Sequence, residues 1–314
     1  MSAVPDKVEL LACPRDRSPL ELRNDTFVCR DGHEFTTVDG APVLVHPDLA
    51  PMQLGYWATP EEVERARDHR PAPVEGSVDP YVAELIVATH GNLYPGVGPL
   101  RRYPIPAFPL DGPRGARLLD VGCNWGRWSI AAARAGFSVV GVDPSVEAIA
   151  AATRVARQFG EDVSYAVGDA RRLPFFDGTF DVVFSFSVLQ HFDPAALEEA
   201  VVEIGRVLVP RGLACIQMAN VYGPRNLLNL ALGRRPRNPF DVLYRRPSEF
   251  ERSFGRIGEV SLSPQGFLTL NAQGADLDLL PRRARAAVRT SETLRRLGPP
   301  ARVADSVWVR VQKR

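Results

Sequence analysis

Three carboxylates in the middle of the chain each close a short apolar run. Asp120 ends RLLD within the run 117–121 and leads into Gly122-Cys123-Asn124-Trp125-Gly126. Glycine at 122 lets the backbone turn sharply, and glycine at 126 lets the start of the next helix pack close to a ligand. Asp143, with Pro144 after it, follows SVVGV (138–142), where a carboxylate can accept hydrogen bonds from both hydroxyls of a ribose. Asp169 stands in VGDARRLPF, where it can accept from an adenine amino group while the Ala170 N–H meets a ring nitrogen. In a parallel sheet Asp143 and Asp169 lie where such sheets bind ligands, beyond the carboxyl ends of the strands.

His191 in SVLQHF (187–192) follows the next apolar run and is the candidate proton acceptor. The alternative is a histidine that holds its loop or touches the ligand. Gln190 beside it offers a polar contact, and Tyr222, His90 and Tyr94 suit the shaping of a pocket more than catalysis.

A second constellation lies near the start. Cys13-Pro-Arg-Asp16 and Cys29-Arg-Asp-Gly-His33 sit on two arms of a short β-rich stretch. Zinc accepts sulfur, imidazole nitrogen and carboxylate oxygen, so Cys13, Asp16, Cys29 and His33 form a candidate tetrahedral set. The alternative is a ribbon that kept its shape without metal.

These residues need elements to position them. Residues 8–46 alternate short strand-like runs with turn signals at Asp31-Gly32 and Asp39-Gly40. Residues 47–76 are rich in proline and charge, with a short helical candidate at 60–69. Asp79-Pro80 opens a helix to His90, and a proline-rich stretch follows. Strands are expected at 117–121, 138–142, 163–167, 181–186, 213–219 and 306–312, with helices at 128–135, 146–159 and 194–208. Apolar strands alternating with amphipathic helices predict an α/β fold with a mainly parallel sheet covered on both faces.

The segments LLDVGCNWG, VVGVDPS, VGDARRLPF, FDVVFSFSVLQHF and RVLVPRGL, in that order over 118–213, resemble the class I S-adenosylmethionine-dependent methyltransferases. Asn124 and Arg211 replace glycines usual in that pattern. The resemblance implies a seven-stranded Rossmann-like sheet and S-adenosylmethionine as cofactor. It places Asp120 and Gly122 near the methionine moiety, Asp143 at the ribose and Asp169 with Ala170 at the adenine. Cys123, Asn124, Gly126, Pro144 and Ser187 complete the expected cofactor contacts. The N-terminal stretch resembles zinc-ribbon modules that head some methyltransferases, with Asp16 in a cysteine's place. The expected organisation is a ribbon at 1–48, a linker and helical lid at 49–112, and a methyltransferase domain at 113–314 with a substrate-side insertion at about 220–258.

At 314 residues with 45% apolar and 24% charged composition, the chain reads as globular. No apolar run approaches the ~18 residues of a membrane span, and the N-terminus lacks a signal-peptide pattern, so the cytoplasm is the expected location. Residues 1–100 hold 8 basic and 16 acidic residues and 217–314 hold 18 and 8, yet the net charge is only +1. An acidic ribbon and no aromatic-basic motif argue against nucleic acid as partner. The segment at the end of the fourth strand reads Ser185-Phe186-Ser187-Val188, not the Asn/Asp-Pro-Pro-Tyr pattern of many amine and amide methyltransferases. The expectation is O-methylation of a small molecule, sugar or glycan. RNA methylation and a non-catalytic cofactor-binding subunit stay open as alternatives, as does the oligomeric state.

Overall fold

The computed structural model describes residues 7–49, 78–89, 100–233, 242–269, 271–298 and 300–314. The helical candidate at 60–69, His90 and Tyr94 lie outside the described residues.

The first elements are short. Strands β1 (Leu20–Arg23), β2 (Thr26–Cys29) and β3 (Glu34–Phe35) form one antiparallel sheet, and β4 (Thr37–Val38) pairs with β5 (Ala41–Pro42). The β1–β2 turn places Asn24 and Asp25 at φ 48° and 63°, the double left-handed step a tight hairpin requires. Helix α1 (Pro80–Thr89) follows. Asp79 at its start accepts from the Tyr81 N–H and pairs with the Arg154 guanidinium at 2.6 Å.

The main sheet has seven strands in the order β11-β12-β10-β9-β6-β7-β8. Strands β6 (Arg117–Val121), β7 (Ser138–Asp143), β8 (Val163–Val167), β9 (Phe180–Ser185) and β10 (Leu208–Ala219) are parallel. β11 (Gly258–Gly266) and β12 (Ser306–Lys313) complete it, with β12 antiparallel to both neighbours. Helices α2 (Arg127–Arg134), α3 (Val146–Phe159) and α4 (Pro194–Val207) connect the parallel strands. Ser145 caps α3 by accepting from the Ala148 N–H, and Asp193 caps α4 by accepting from that of Ala196, with Pro194 at the first helical position. Helices α5 (Pro224–Ala231), α6 (Pro247–Phe254) and α7 (Arg282–Arg296) belong to the C-terminal third.

β11 and α7 are not anticipated by the pattern of apolar residues. Strand β11 (GEVSLSPQG) carries glycine and proline and lies at the sheet edge, where proline is tolerated. Helix α7 buries only Val288 and Ser291, so it has no long apolar stripe.

The winding fixes where a ligand can sit. From β6 the chain proceeds outward through β7 and β8, then returns to the other side of β6 with β9 and β10. The switch point lies between β6 and β9, the crevice that open α/β sheets use for ligands.

The β-rich N-terminal stretch is not a separate bead. The Leu44 N–H donates to Val167 O at 2.7 Å and the Ala12 N–H to Pro174 O at 2.9 Å. Leu11, Leu20, Phe27 and Phe35 share one buried cluster with Leu119 and Val121 of the main sheet and with Phe175 of the loop after β8. A stretch of about 40 residues buries too little surface to stand alone; docking supplies the missing core.

Candidate functional site

The turn after β6 brings the first group of residues together. Gly122 lies at φ 74° and Gly126 at φ 84°, both in the region that favours glycine. A Cβ on Gly122 would stand 2.2 Å from Val188 Cγ2, so this turn and the loop after β9 touch only because the side chain is missing. Asn124 (φ 47°) and Arg211 (φ 64°), the two departures from glycine, both adopt the left-handed backbone. Asparagine tolerates it well, and its Oδ1 accepts from the Trp125 N–H.

Asp143 sits at the end of β7, 6% exposed. Its two oxygens accept one backbone N–H each, from Ser145 and from Asn124, both at 3.0 Å. The second bond ties the carboxylate to the glycine turn. Asp120, 1% exposed, accepts from the Ser129 hydroxyl at 2.6 Å. Burial pushes the Asp120 carboxyl up to about 7, with the nearby Asp143 charge adding to the shift. Burial likewise raises Asp143 to about 6 against the two N–H donors. Cys123, buried beside them, is held as a thiol by burial and by the two acids. Two buried acids with raised pKa values suit a ligand that brings hydroxyl donors and a positive charge, as S-adenosylmethionine does.

Asp169 is placed differently. Its Oδ1 accepts from the Arg171 N–H and Nε, and its Oδ2 from Arg171 Nη2 at 2.8 Å. The adenine acid expected from the sequence is thus already gripped by its own loop. Ala170 beside it is buried, and Pro144 is half-buried next to Asp143.

Across the switch point, the loop after β9 carries a different chemistry. Ser187 adopts φ 64°. Its N–H donates to Gln217 Oε1 at 2.9 Å, and its hydroxyl accepts from Gln190 Nε2 at 2.8 Å and Asn271 Nδ2 at 2.6 Å. Gln217 Nε2 faces Asn271 Oδ1 at 3.4 Å. Gln190 and Gln217 are fully buried, and Gln190 Oε1 has no hydrogen-bond partner among the described residues. His191 ends the short 3-10 turn Leu189–His191, its Nε2 3.4 Å from Gln190 Nε2. Tyr222 lies outside this cage, 47% exposed.

Gln217 and Asn271 escaped the sequence reading. Gln217 had a signal, a glutamine inside the apolar run LACIQMA. Asn271 had none, since its segment lacks any period. Arg127, directly after Gly126, is a third omission. It forms a buried ion pair with Asp276 at 2.8 Å, the side chains 7% and 0% exposed. That pair ties the 3-10 turn Gly274–Leu279 to the glycine turn, close in sequence to Asn271.

Cys13, Asp16, Cys29 and His33 converge as well, with one ligating atom from each within 4.8 Å of the others. Among the described residues no helix is long and apolar enough to cross a membrane.

Residues 118–212 match the family described as Methyltransferase domain. A ubiquinone biosynthesis O-methyltransferase of Agrobacterium fabrum is 36% identical over 226 residues, covering 69% of this chain and 80% of that protein. The protein of the same name from Rhizobium rhizogenes is 36% identical over 166 residues, covering 50% of this chain and 64% of its own. The matches span 46–64% of the length of the first four curated relatives. Among solved structures, an S-adenosylmethionine-dependent methyltransferase from Methanosarcina mazei aligns at 19% identity with a TM-score of 0.48, over 67% of this chain and 99% of that one.

Proposed function

Because the chain belongs to the S-adenosylmethionine-dependent methyltransferases, we propose that it transfers a methyl group to a hydroxyl oxygen of a small molecule, sugar or glycan in a biosynthetic pathway. The observation that carries the choice of acceptor is the neutral amide cage of Ser187, Gln190, Gln217 and Asn271 beside the glycine turn. Amides and a hydroxyl recognise a neutral, hydrogen-bonding group. The unpartnered Gln190 Oε1 is a buried acceptor to which a hydroxyl can donate. The relatives named as O-methyltransferases support oxygen as the acceptor atom.

S-adenosylmethionine, when bound, supplies a methyl already activated on a sulfonium. What remains for the protein is alignment, worth several kcal/mol, and the removal of a proton. In this reading Asp143 holds the ribose, Asp120 and the Gly122–Gly126 turn lie at the methionine moiety, and Ala170 meets the adenine. Arg171 makes the adenine position conditional: the ligand's amino group shares Asp169 with the guanidinium or displaces it. The cage fixes the acceptor, with His191 at its rim as proton acceptor.

Incubation with S-adenosylmethionine carrying a labelled methyl, against a panel of phenols, catechols and sugars, tests the reading. The expected product is a methyl ether whose formation depends on Asp143. Label that appears only on nitrogen, or only in added RNA, overturns it. His191→Ala retaining full turnover at saturating cofactor removes the histidine from the mechanism.

A further inference from the structure

The four N-terminal ligating groups face one another at short range. His33 Nδ1 stands 3.5 Å from Cys13 Sγ, 3.3 Å from Cys29 Sγ and 3.1 Å from Asp16 Oδ2, and Cys29 Sγ lies 3.4 Å from Asp16 Oδ2. Ligand atoms about 2.0–2.3 Å from a tetrahedral centre stand roughly 3.3–3.8 Å apart, so these spacings are close to the edges of such a tetrahedron. Cys13 and Cys29 are free thiols and both are buried.

Asp16 is held as a ligand would be. Its Oδ1 accepts from the N–H and the hydroxyl of Ser18, at 2.8 and 2.6 Å, which leaves Oδ2 turned toward Cys29 and His33. This orients one oxygen for coordination and anchors the other, the arrangement that outer partners give metal-binding carboxylates. Arg17 at φ 61° completes the tight turn from Cys13, whose carbonyl accepts from the Arg17 N–H.

The cluster is joined directly to the loop that follows β8. Cys13 succeeds Ala12, whose N–H donates to Pro174 O, and Leu11 bridges to Phe175. At the other end of the same loop the Leu44 N–H donates to Val167 O. Arg17 reaches Glu203, whose other oxygen accepts from the Leu173 N–H at 2.9 Å. The N-terminal stretch therefore grips residues 167–176 at both ends, and Asp169 and Ala170 lie between the grips.

We propose that Cys13, Asp16, Cys29 and His33 bind one divalent cation of the zinc class, with Asp16 as an oxygen ligand, and that this ion sets cofactor affinity by fixing the 167–176 loop. The second half rests on the cofactor reading above. The four side chains make polar contacts with one another and Ser18 and with none of the residues assigned to cofactor or acceptor, so they act as positioning residues. Without the ion the turns Cys13–Asp16 and Cys29–His33 lose the crosslink that it adds to the β1–β2–β3 pairing, and the loop pays an ordering cost when the nucleoside binds. Coupling between two sites of this kind is typically about 5- to 150-fold in affinity.

The test uses the full chain prepared without chelator. Elemental analysis is expected to find one zinc per chain. Cobalt exchange is expected to give the intense visible bands of a tetrahedral site together with a thiolate charge-transfer band. Calorimetry with S-adenosylhomocysteine is expected to show affinity falling about 5-fold or more on chelation and returning with added zinc. Two variants separate ligation from local structure. Asp16→Asn can keep an acceptor for Ser18 but loses the anionic ligand, so it is expected to lose metal and cofactor affinity together. Asp16→Cys gives up the Ser18 bonds but restores a ligand, so it is expected to keep both. Full metal binding by Asp16→Asn with none by Asp16→Cys overturns the ligand set. Metal-free protein that binds S-adenosylhomocysteine as tightly as loaded protein overturns the coupling. If loaded wild-type protein fails to bind S-adenosylhomocysteine, the coupling falls together with the methyltransferase reading, while metal content and the cobalt spectrum still decide the ligand set.

Discussion

The two sides of the crevice between β6 and β9 are built from opposite chemistry. On the β6–β7 side stand buried carboxylates, Asp120 and Asp143, raised to about 7 and about 6 by burial. On the β9–β10 side stand amides and a hydroxyl, with no ionisable side chain among Ser187, Gln190, Gln217 and Asn271. A site with ionisable carboxyls at one end and amide dipoles at the other, with the His191 imidazole at the rim of the amides, suits a cation-bearing ligand facing a neutral one. The carboxylates have the larger consequence for binding. In the function proposed above, the amides select an acceptor that can be desolvated without leaving a charge unpaired.

Removal of Asp143 is the strongest way to break this contrast. Asp143→Ala deletes two hydrogen bonds to a charged group, and the affinity for S-adenosylhomocysteine measured by calorimetry is expected to fall roughly 100-fold. Gly122→Ala attacks the contact between the two sides. The added Cβ meets Val188 at 2.2 Å and the backbone is at φ 74°, so affinity is expected to fall about 10- to 100-fold through strain. Adding Val188→Ala should recover the part due to collision and leave the part due to φ. A full recovery would show that φ costs nothing here.

Asn271→Ala tests the opposite side. It leaves Ser187 and Gln217 short of a partner, and the KM for the acceptor found in the labelling panel is expected to rise about 10-fold. Affinity for S-adenosylhomocysteine should stay unchanged. A loss of cofactor affinity instead would mean that the cage belongs to the cofactor half and that the contrast is wrong.

The smallest effect concerns protons. Both raised carboxyls stand above the ordinary value of 3.8, so the folded ligand-free protein holds protons that the unfolded chain has released. Their contribution to stability is present below about pH 4 and is lost as pH rises through 6 and then 7. The melting temperature of ligand-free protein should therefore decline across that window. A sulfonium favours the ionised carboxylates, so S-adenosylmethionine should expel about one proton near pH 6–7, read by calorimetry in buffers of different ionisation enthalpy. Proton uptake on binding would contradict the assignment of the cationic moiety to this side.

The carboxylate side was legible in the sequence because each of its residues closes a local apolar run. Asp120, Asp143 and Asp169 can be found by reading strand ends one at a time. The structure adds how they are held: Asn124 donates its N–H to Asp143, and Arg171 occupies Asp169. On the amide side only Gln190 was legible as a polar contact, while Ser187, which also follows β9, reads from the sequence as a cofactor contact. Gln217 was hidden in a strand whose period is apolar, and Asn271 comes from a stretch between an edge strand and a helix that both lack a continuous apolar face. The N-terminal cysteines were visible from their spacing, whereas the pairing of Leu11 with Phe175 and of Leu44 with Val167 is long-range and leaves no local trace.

The buried pair between Arg127 and Asp276 has a bearing on inheritance and engineering. The partners are 149 positions apart in sequence. Removing one partner of a buried ion pair typically costs about 3–5 kcal/mol, whereas exchanging both for apolar residues can be neutral. The two positions are therefore expected to drift as a unit along a lineage. A chimera that imports a relative's glycine turn should import the matching residue at 276 with it.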